Sequence, residues 1–174
     1  SFLITAWLLW FVAHASRMVI PPVLPLIKEE LGISHAQAGQ IFTYLTLGYC
    51  GALLTVPFWS RVPGYRRTLN ISLAGLTLTL FLMRWATGLG AISALAFCIG
   101  LATGTILPSA IPLITTAYGK EKWTQSLSIF NSAAPTGQFF APMLAIAVLS
   151  MVPWRYLFWA MAAVSAIVML MFQK

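Results

Sequence analysis

Residues 7–27 read WLLWFVAHASRMVIPPVLPLI, an apolar run interrupted by a single charge, Arg17. About 20 apolar residues at ~1.5 Å each cross a ~30 Å hydrocarbon layer, so this run is a membrane span. Five more runs of similar length follow. The chain has 174 residues with 10 Lys and Arg, and its 3 acids are Glu29, Glu30 and Glu121. Apart from Arg17, these charges gather at the short breaks between runs. The spacing predicts helices near residues 2–28, 37–59, 68–88, 91–118, 123–150 and 154–173. That is an all-α polytopic membrane protein of six transmembrane helices.

Composition supports the spans. The chain is 60% hydrophobic and 7% charged, whereas a soluble domain carries about a quarter charged residues. The net charge of +7 is dispersed among apolar runs and makes no continuous basic face, which argues against a nucleic-acid partner. Cys50 and Cys98 fall mid-span, and no CxxC or Cys/His cluster suggests a metal or cofactor. No nucleophile elbow, HExxH or phosphate loop is present, so no catalytic residue is expected and the chain does not read as an enzyme. The first run has no basic leader or small-residue cleavage site, so a signal peptide is not expected. Since the sequence starts at Ser1 rather than Met, it reads as a segment open to extension at either end.

The breaks are chemically distinct. KEELGISHAQ ends the first span and offers Ser34 as an N-cap for the second, SRVPGYRRT precedes the third, and Pro153 stands just before the sixth. Lys and Arg set orientation. Arg61, Arg66, Arg67, Lys120, Lys122 and Lys174 fall on one side of the membrane, and Lys28, Arg84 and Arg155 on the other. The larger group predicts both termini in the cytoplasm, with the protein integral to the plasma (inner) membrane.

The halves also resemble each other. IPPVLPLI from Ile20 matches LPSAIPLI from Leu107, aligning Pro21 with Pro108 and Pro25 with Pro112, and QAGQIF from Gln37 matches QSLSIF from Gln125. Three spans per repeat force the second copy to enter from the opposite side. The expectation is two inverted three-helix repeats, about 1–88 and 89–174, a construction typical of secondary transporters.

These features resemble the N-terminal six-helix half of the major facilitator superfamily. SRMVIPPVLPLIKEELGIS is similar to the family's Arg-containing first helix with its proline and acidic loop. PFWSRVPGYRR resembles the basic loop between helices two and three, commonly GxxxDRxGRR. IGLATGTILPSAIPLI, NSAAPTGQFFAPML and WRYLF resemble its fourth helix, its fifth and the entry to its sixth. In the loop the family's Asp is replaced by Ser60 and its leading Gly by Val56, and Pro63-Gly64 lengthens the spacing by one. The usual Arg at the head of the fourth helix falls near Ala96. The resemblance implies solute transport by alternating access with a second six-helix half or partner subunit, and a gating role for Arg61, Arg66 and Arg67. Their other reading is topology determination alone.

Arg17 focuses the functional reading. Helical spacing puts Trp7, Trp10, His14, Arg17, Pro21 and Leu24 on one stripe. Arg17 lies ~21 Å along the helix from residue 3, too deep to snorkel easily, and facing lipid would cost ~3 to more than 10 kcal/mol. It must face protein or a watered cavity. All three acids sit in loops, so its partner is an anionic substrate, an acid outside this segment, or carbonyls freed by Pro21, Pro22 and Pro25. A guanidinium fork suits carboxylate, phosphate or nitrate oxygens. Family members that carry organic anions or phosphate esters often have an Arg in this region. His14 either contacts substrate or bonds a helix carbonyl. Without membrane carboxylates, anion exchange or uniport is favoured over proton symport.

On the fifth helix Asn131, Pro135, Gln138 and Pro142 recur at steps of four, three and four, and Gln40 pairs with Tyr44 on the second. The expected substrate contacts are therefore Arg17, His14, Tyr44, Asn131 and Gln138. The alternative function is a stand-alone accessory or structural subunit of a membrane complex, or a half-transporter that needs a second half.

Overall fold

The computed structural model describes residues 2–60 and 62–173, and no strand occurs among them. Seven α-helices follow in order: α1 Phe2–Met18, α2 Ile20–Leu31, α3 His35–Trp59, α4 Tyr65–Leu82, α5 Leu89–Ala117, α6 Trp123–Leu149 and α7 Trp154–Gln173. Short 3-10 turns over Met83–Trp85 and Lys120–Lys122 extend α4 and precede α6. Six stretches are long and apolar enough to cross a membrane, the first being α1 and α2 together. The expected spans are all present, with ends displaced by a few residues.

The displaced ends have local causes. Ser34 and Gln37 form a capping box, Ser34 Oγ accepting from the Gln37 amide at 3.2 Å and Gln37 Oε1 from the Ser34 amide at 2.9 Å. That pair starts α3 at His35, two positions before the apolar pattern begins. Gly64, at φ +84, turns the chain where an L-residue would be strained and lets α4 begin at Tyr65. The first span breaks at Val19. Pro21 and Pro22 lack the amides that would bond the carbonyls of Arg17 and Met18, so the ladder is interrupted one turn ahead of the prolines.

The helices pair α3 with α5, α1 with α6, and α4 with α5 and α7; α1 also contacts α5 and α7. Lipid tails are as apolar as these side chains, so close backbone approach rather than water exclusion holds such helices together. Glycines permit it where α3 crosses α5. A Cβ at Gly48 would lie 3.0 Å from the Leu101 amide nitrogen, at Gly100 2.8 Å from that of Tyr49, and at Gly104 2.5 Å from the Tyr49 carbonyl oxygen. Gly137 does the same for α6 on α1, where a Cβ would stand 2.9 Å from the Phe11 carbonyl oxygen. Hydroxyls add polar stitches. Ser72 donates to the Ala102 carbonyl, and Thr77 donates to Ser165 at 2.9 Å.

The helix ends are fastened separately. Arg155 Nη1 meets Glu30 at 2.5 Å, Trp154 Nε1 donates to Glu30 at 2.7 Å, and Arg155 also donates to the carbonyls of Arg84 at 3.1 Å and Ala86 at 3.0 Å. One carboxylate thus ties the end of α2 to the start of α7, and the arginine continues the tie to the turn after α4. At the other end, Arg66 donates to the Phe172 carbonyl at 3.4 Å, and Trp123 Nε1 bonds the carbonyls of Thr115 and Tyr118, each at 2.9 Å. A cation on the last carbonyls of α7 complements the negative end of that helix.

Two outcomes follow from this packing. Gly100→Leu should prevent close approach of α3 and α5, costing at least about 1–3 kcal/mol and sharply lowering the monodisperse yield on size exclusion. Gly90→Ala, whose Cβ meets nothing within 4 Å, should not. Glu30→Gln should remove about 1 kcal/mol from the Arg155 tie and lower the melting temperature by roughly 2–4 °C in a thermal-shift measurement.

Candidate substrate-binding site

Arg17 lies in the last turn of α1, two positions before the Val19 break. Its guanidinium stacks on the Tyr49 ring of α3, with Cζ 3.8 Å from the ring centroid. The ring's negative face stabilises the cation without neutralising it, an interaction worth about 0.5–2 kcal/mol. Tyr49 is fixed from behind by α5, since Gly100 and Gly104 press against its backbone. Arg17 Nε is shielded from solvent and has no hydrogen-bond partner among the described residues. Stacking occupies a face of the guanidinium and leaves its N–H donors in the plane of the fork. A charged group with donor capacity to spare therefore stands at membrane depth.

The rest of the predicted stripe is divided among neighbours. Trp10 is buried, stacked on Phe130 at 5.6 Å and edge-on to His14 at 4.2 Å, and its Nε1 has no partner among the described residues. Trp7 Nε1 donates to Ser132 at 3.0 Å. His14 is 6% exposed, with Nδ1 3.2 Å from the Trp10 carbonyl oxygen. A carbonyl only accepts, so Nδ1 carries a proton, and in the neutral ring Nε2 is the acceptor. Gly137 lets α6 approach His14, where a Cβ would come 3.2 Å from the histidine Cβ. His14 thus forms the carbonyl bond that was one of its two expected roles.

Tyr44, Asn131 and Gln138 lie elsewhere. Tyr44 is 45% exposed and lines a cleft of about 650 Å³ with Gln40, Ser93 and Phe97 between α3 and α5. Asn131, Pro135 and Gln138 are exposed, whereas Phe130, Ala133, Gly137 and Ala141 on the same helix are buried. The polar stripe of α6 therefore faces away from α1, and the described contacts do not bring it to Arg17. In the basic loop, Arg61 lies outside the described residues, Arg67 is exposed, Arg66 bonds the end of α7, and Ser60 is buried with its hydroxyl unpartnered among the described residues.

Sequence reasoning missed Tyr49. Tyr44 and Tyr49 are five residues apart, which turns them roughly 140° from each other on a helix, so choosing one excluded the other. The available signal was its position beside Gly48, where a backbone crossing holds an aromatic side chain still.

The family model described as Major Facilitator Superfamily matches residues 6–173. The chain belongs to the major facilitator superfamily. Among relatives of this superfamily protein, an uncharacterized MFS-type transporter, YuxJ of Bacillus subtilis, is 29% identical over 146 residues, covering 79% of this chain and 36% of that protein. The multidrug resistance protein MdtG of Yersinia enterocolitica is 28% identical over 147 residues, covering 82% of this chain and 35% of that one. The chain thus spans little more than a third of the length of these relatives. By shape it is similar to a bacterial homolog of the human lysosomal transporter Spinster in an inward-facing, unoccupied conformation. The TM-score is 0.89 at 16% identity, covering 99% of this chain and 42% of that one. The same homolog, inward-facing and occupied, gives a TM-score of 0.81 at 16% identity. The family match and these likenesses establish a helical membrane fold of the superfamily.

The Arg17 to Tyr49 contact yields a graded expectation. Tyr49→Phe keeps the ring and should leave thermal stability within about 0.5 kcal/mol of the parent, whereas Tyr49→Leu should lose about 1–2 kcal/mol. Thermal-shift curves of the three proteins in one detergent measure the difference.

Proposed function

We propose that this protein carries a small anionic solute across the plasma (inner) membrane by alternating access, with Arg17 as the anion anchor. The observation that carries the reading is the guanidinium at membrane depth, stacked on Tyr49 with Nε unpartnered among the described residues. An anion placed against the free edge of the fork would accept charge-assisted hydrogen bonds in a medium of low dielectric. The superfamily supports transport in general. The relatives' multidrug name belongs to them, and a cationic cargo finds no acid at membrane depth here, since Glu29, Glu30 and Glu121 are all at helix ends or in loops.

The same reading takes residues 1–88 and 89–174 as inverted three-helix repeats. The pairings support it, because exchanging the repeats turns α3 on α5 into α6 on α1, and α4 on α5 into α7 on α1. A second six-helix half, in the same polypeptide or as a partner subunit, completes the pathway. In support, α3 and α6 are the least buried spans, and the exposed Tyr44, Asn131 and Gln138 lie on them. These three residues then contribute to the shared cavity as substrate contacts, while His14 keeps α1 and α6 in register beside it. Arg61, Arg66 and Arg67 serve the cytoplasmic gate, with both termini cytoplasmic. Exchange or uniport is the coupling mode.

The test is counterflow in proteoliposomes with radiolabelled phosphate, nitrate or a short-chain carboxylate as probes. One of them should be carried. Arg17→Ala should weaken its apparent affinity about 10- to 100-fold, from the loss of charged hydrogen bonds worth about 1.5–3 kcal/mol, and Arg17→Lys should recover only part of it. Undiminished counterflow in Arg17→Ala would overturn the anchor. If Arg17→Ala instead lowers the yield of an assembled complex with no effect on flux, the accessory-subunit reading stands.

A further inference from the structure

At the end of the bundle where Glu30 meets Arg155, a second arginine is left over. Arg84, on the turn that ends the third span, lies 4.5 Å above the Tyr156 ring centroid and 5.0 Å from that of Trp159, and donates to the Tyr156 hydroxyl at 3.4 Å. Glu30 is engaged by Arg155 and Trp154, and Lys28 and Glu29 line a separate cleft with His35. No carboxylate pairs with Arg84 among the described residues. One positive charge therefore stands uncompensated, ringed by Trp85, Tyr156 and Trp159, the residue types that mark the membrane–water boundary.

Directly along the helices from this cation runs an apolar trough of about 560 Å³ between α4 and α7, walled by Leu78, Phe81, Trp159, Ala163, Ala166 and Met169. Phe81 and Trp159 stack at 5.6 Å and form its upper end. From Trp159 to Met169 the trough extends about 15 Å at ~1.5 Å per residue, half of a ~30 Å hydrocarbon layer. Thr77, its polar side chain, is already bonded to Ser165. The trough has the length of one leaflet and is apolar throughout, with its cation at headgroup depth.

We infer that this trough and Arg84 form a binding site for an anionic phospholipid, one acyl chain lying between α4 and α7 and the phosphate diester resting on Arg84 and the Tyr156 hydroxyl. Charge complementarity selects the occupant. A bare acyl chain or a neighbouring apolar helix would leave Arg84 unpaired, and a soluble anion would leave the trough unfilled. The site is at the opposite end of α7 from Arg66 and is independent of what Arg17 binds.

Native mass spectrometry of the detergent-solubilised protein tests it, with phosphatidylglycerol and phosphatidylcholine of matched chains as probes. Phosphatidylglycerol should be retained about fivefold more, the increment of one basic residue near an anionic lipid surface. Arg84→Gln should abolish the preference and Arg84→Lys restore most of it, a rescue that a purely structural arginine would not give. Ala163→Trp, at an exposed trough position, should reduce retention of both lipids, and Lys122→Gln, on a distant loop, neither. Equal retention of the two lipids by the parent, or a preference that survives Arg84→Gln, overturns the headgroup assignment. Unchanged retention in Ala163→Trp overturns the trough and also serves if Arg84→Gln fails to fold.

Discussion

In hydrocarbon, helices adhere only where their backbones come close, and everything else here depends on the crossing of α3 and α5 at Gly48, Gly100 and Gly104. That crossing brings α5 against the backbone of Tyr49 and so fixes the ring on which Arg17 lies. A side chain added at Gly104 would act on the cation through two intermediates, first the Tyr49 carbonyl and then its ring. The charge at membrane depth is tolerable because its support is rigid, and the support is rigid because three positions carry no side chain.

The polar groups divide into those that are satisfied and those that are not. Ser16, Thr46, Thr55, Thr79, Thr103 and Thr105 return their hydroxyls to carbonyls of their own helices, a local arrangement that lets a polar side chain sit in an apolar layer. Glu30, Arg155 and Trp154 satisfy one another at the membrane edge. Arg17 and Arg84 are charges of another kind, neither paired with a carboxylate among the described residues. Each rests on aromatic faces, which steady a guanidinium while leaving its formal charge available.

How far the fold could be read from the sequence depended on the range of the physics involved. Six spans were legible because lipid imposes its length on each run separately, and the start of α3 was legible because a capping box is local. The break at Val19 was half legible: the prolines announced freed carbonyls, but not that the helix would part before them. Glycines such as Gly48 marked where backbones come close, but not which distant segments meet there. Glu30 and Arg155 looked like unrelated loop charges, and Tyr49 resembled any other mid-span aromatic. His14 read equally well as a ligand group or as a helix bond, and Gly137, far along the chain, fixes its surroundings. The polar stripe of α6 was correctly periodic, yet periodicity does not say which neighbour a face meets.

The interruption at Val19 changes the mechanics of the first span. An intact helix resists bending through its whole ladder of hydrogen bonds, whereas here the prolines remove the rungs that would cross the joint from Arg17 and Met18. Pro25 removes one further rung within α2, and compliance is greatest around that joint. Above it α2 is held by Glu30 to the start of α7, and below it α1 is keyed to α6 at Gly137. A rod anchored at both ends flexes where its rungs are missing, and in this molecule that stretch adjoins the half-buried Arg17 cation.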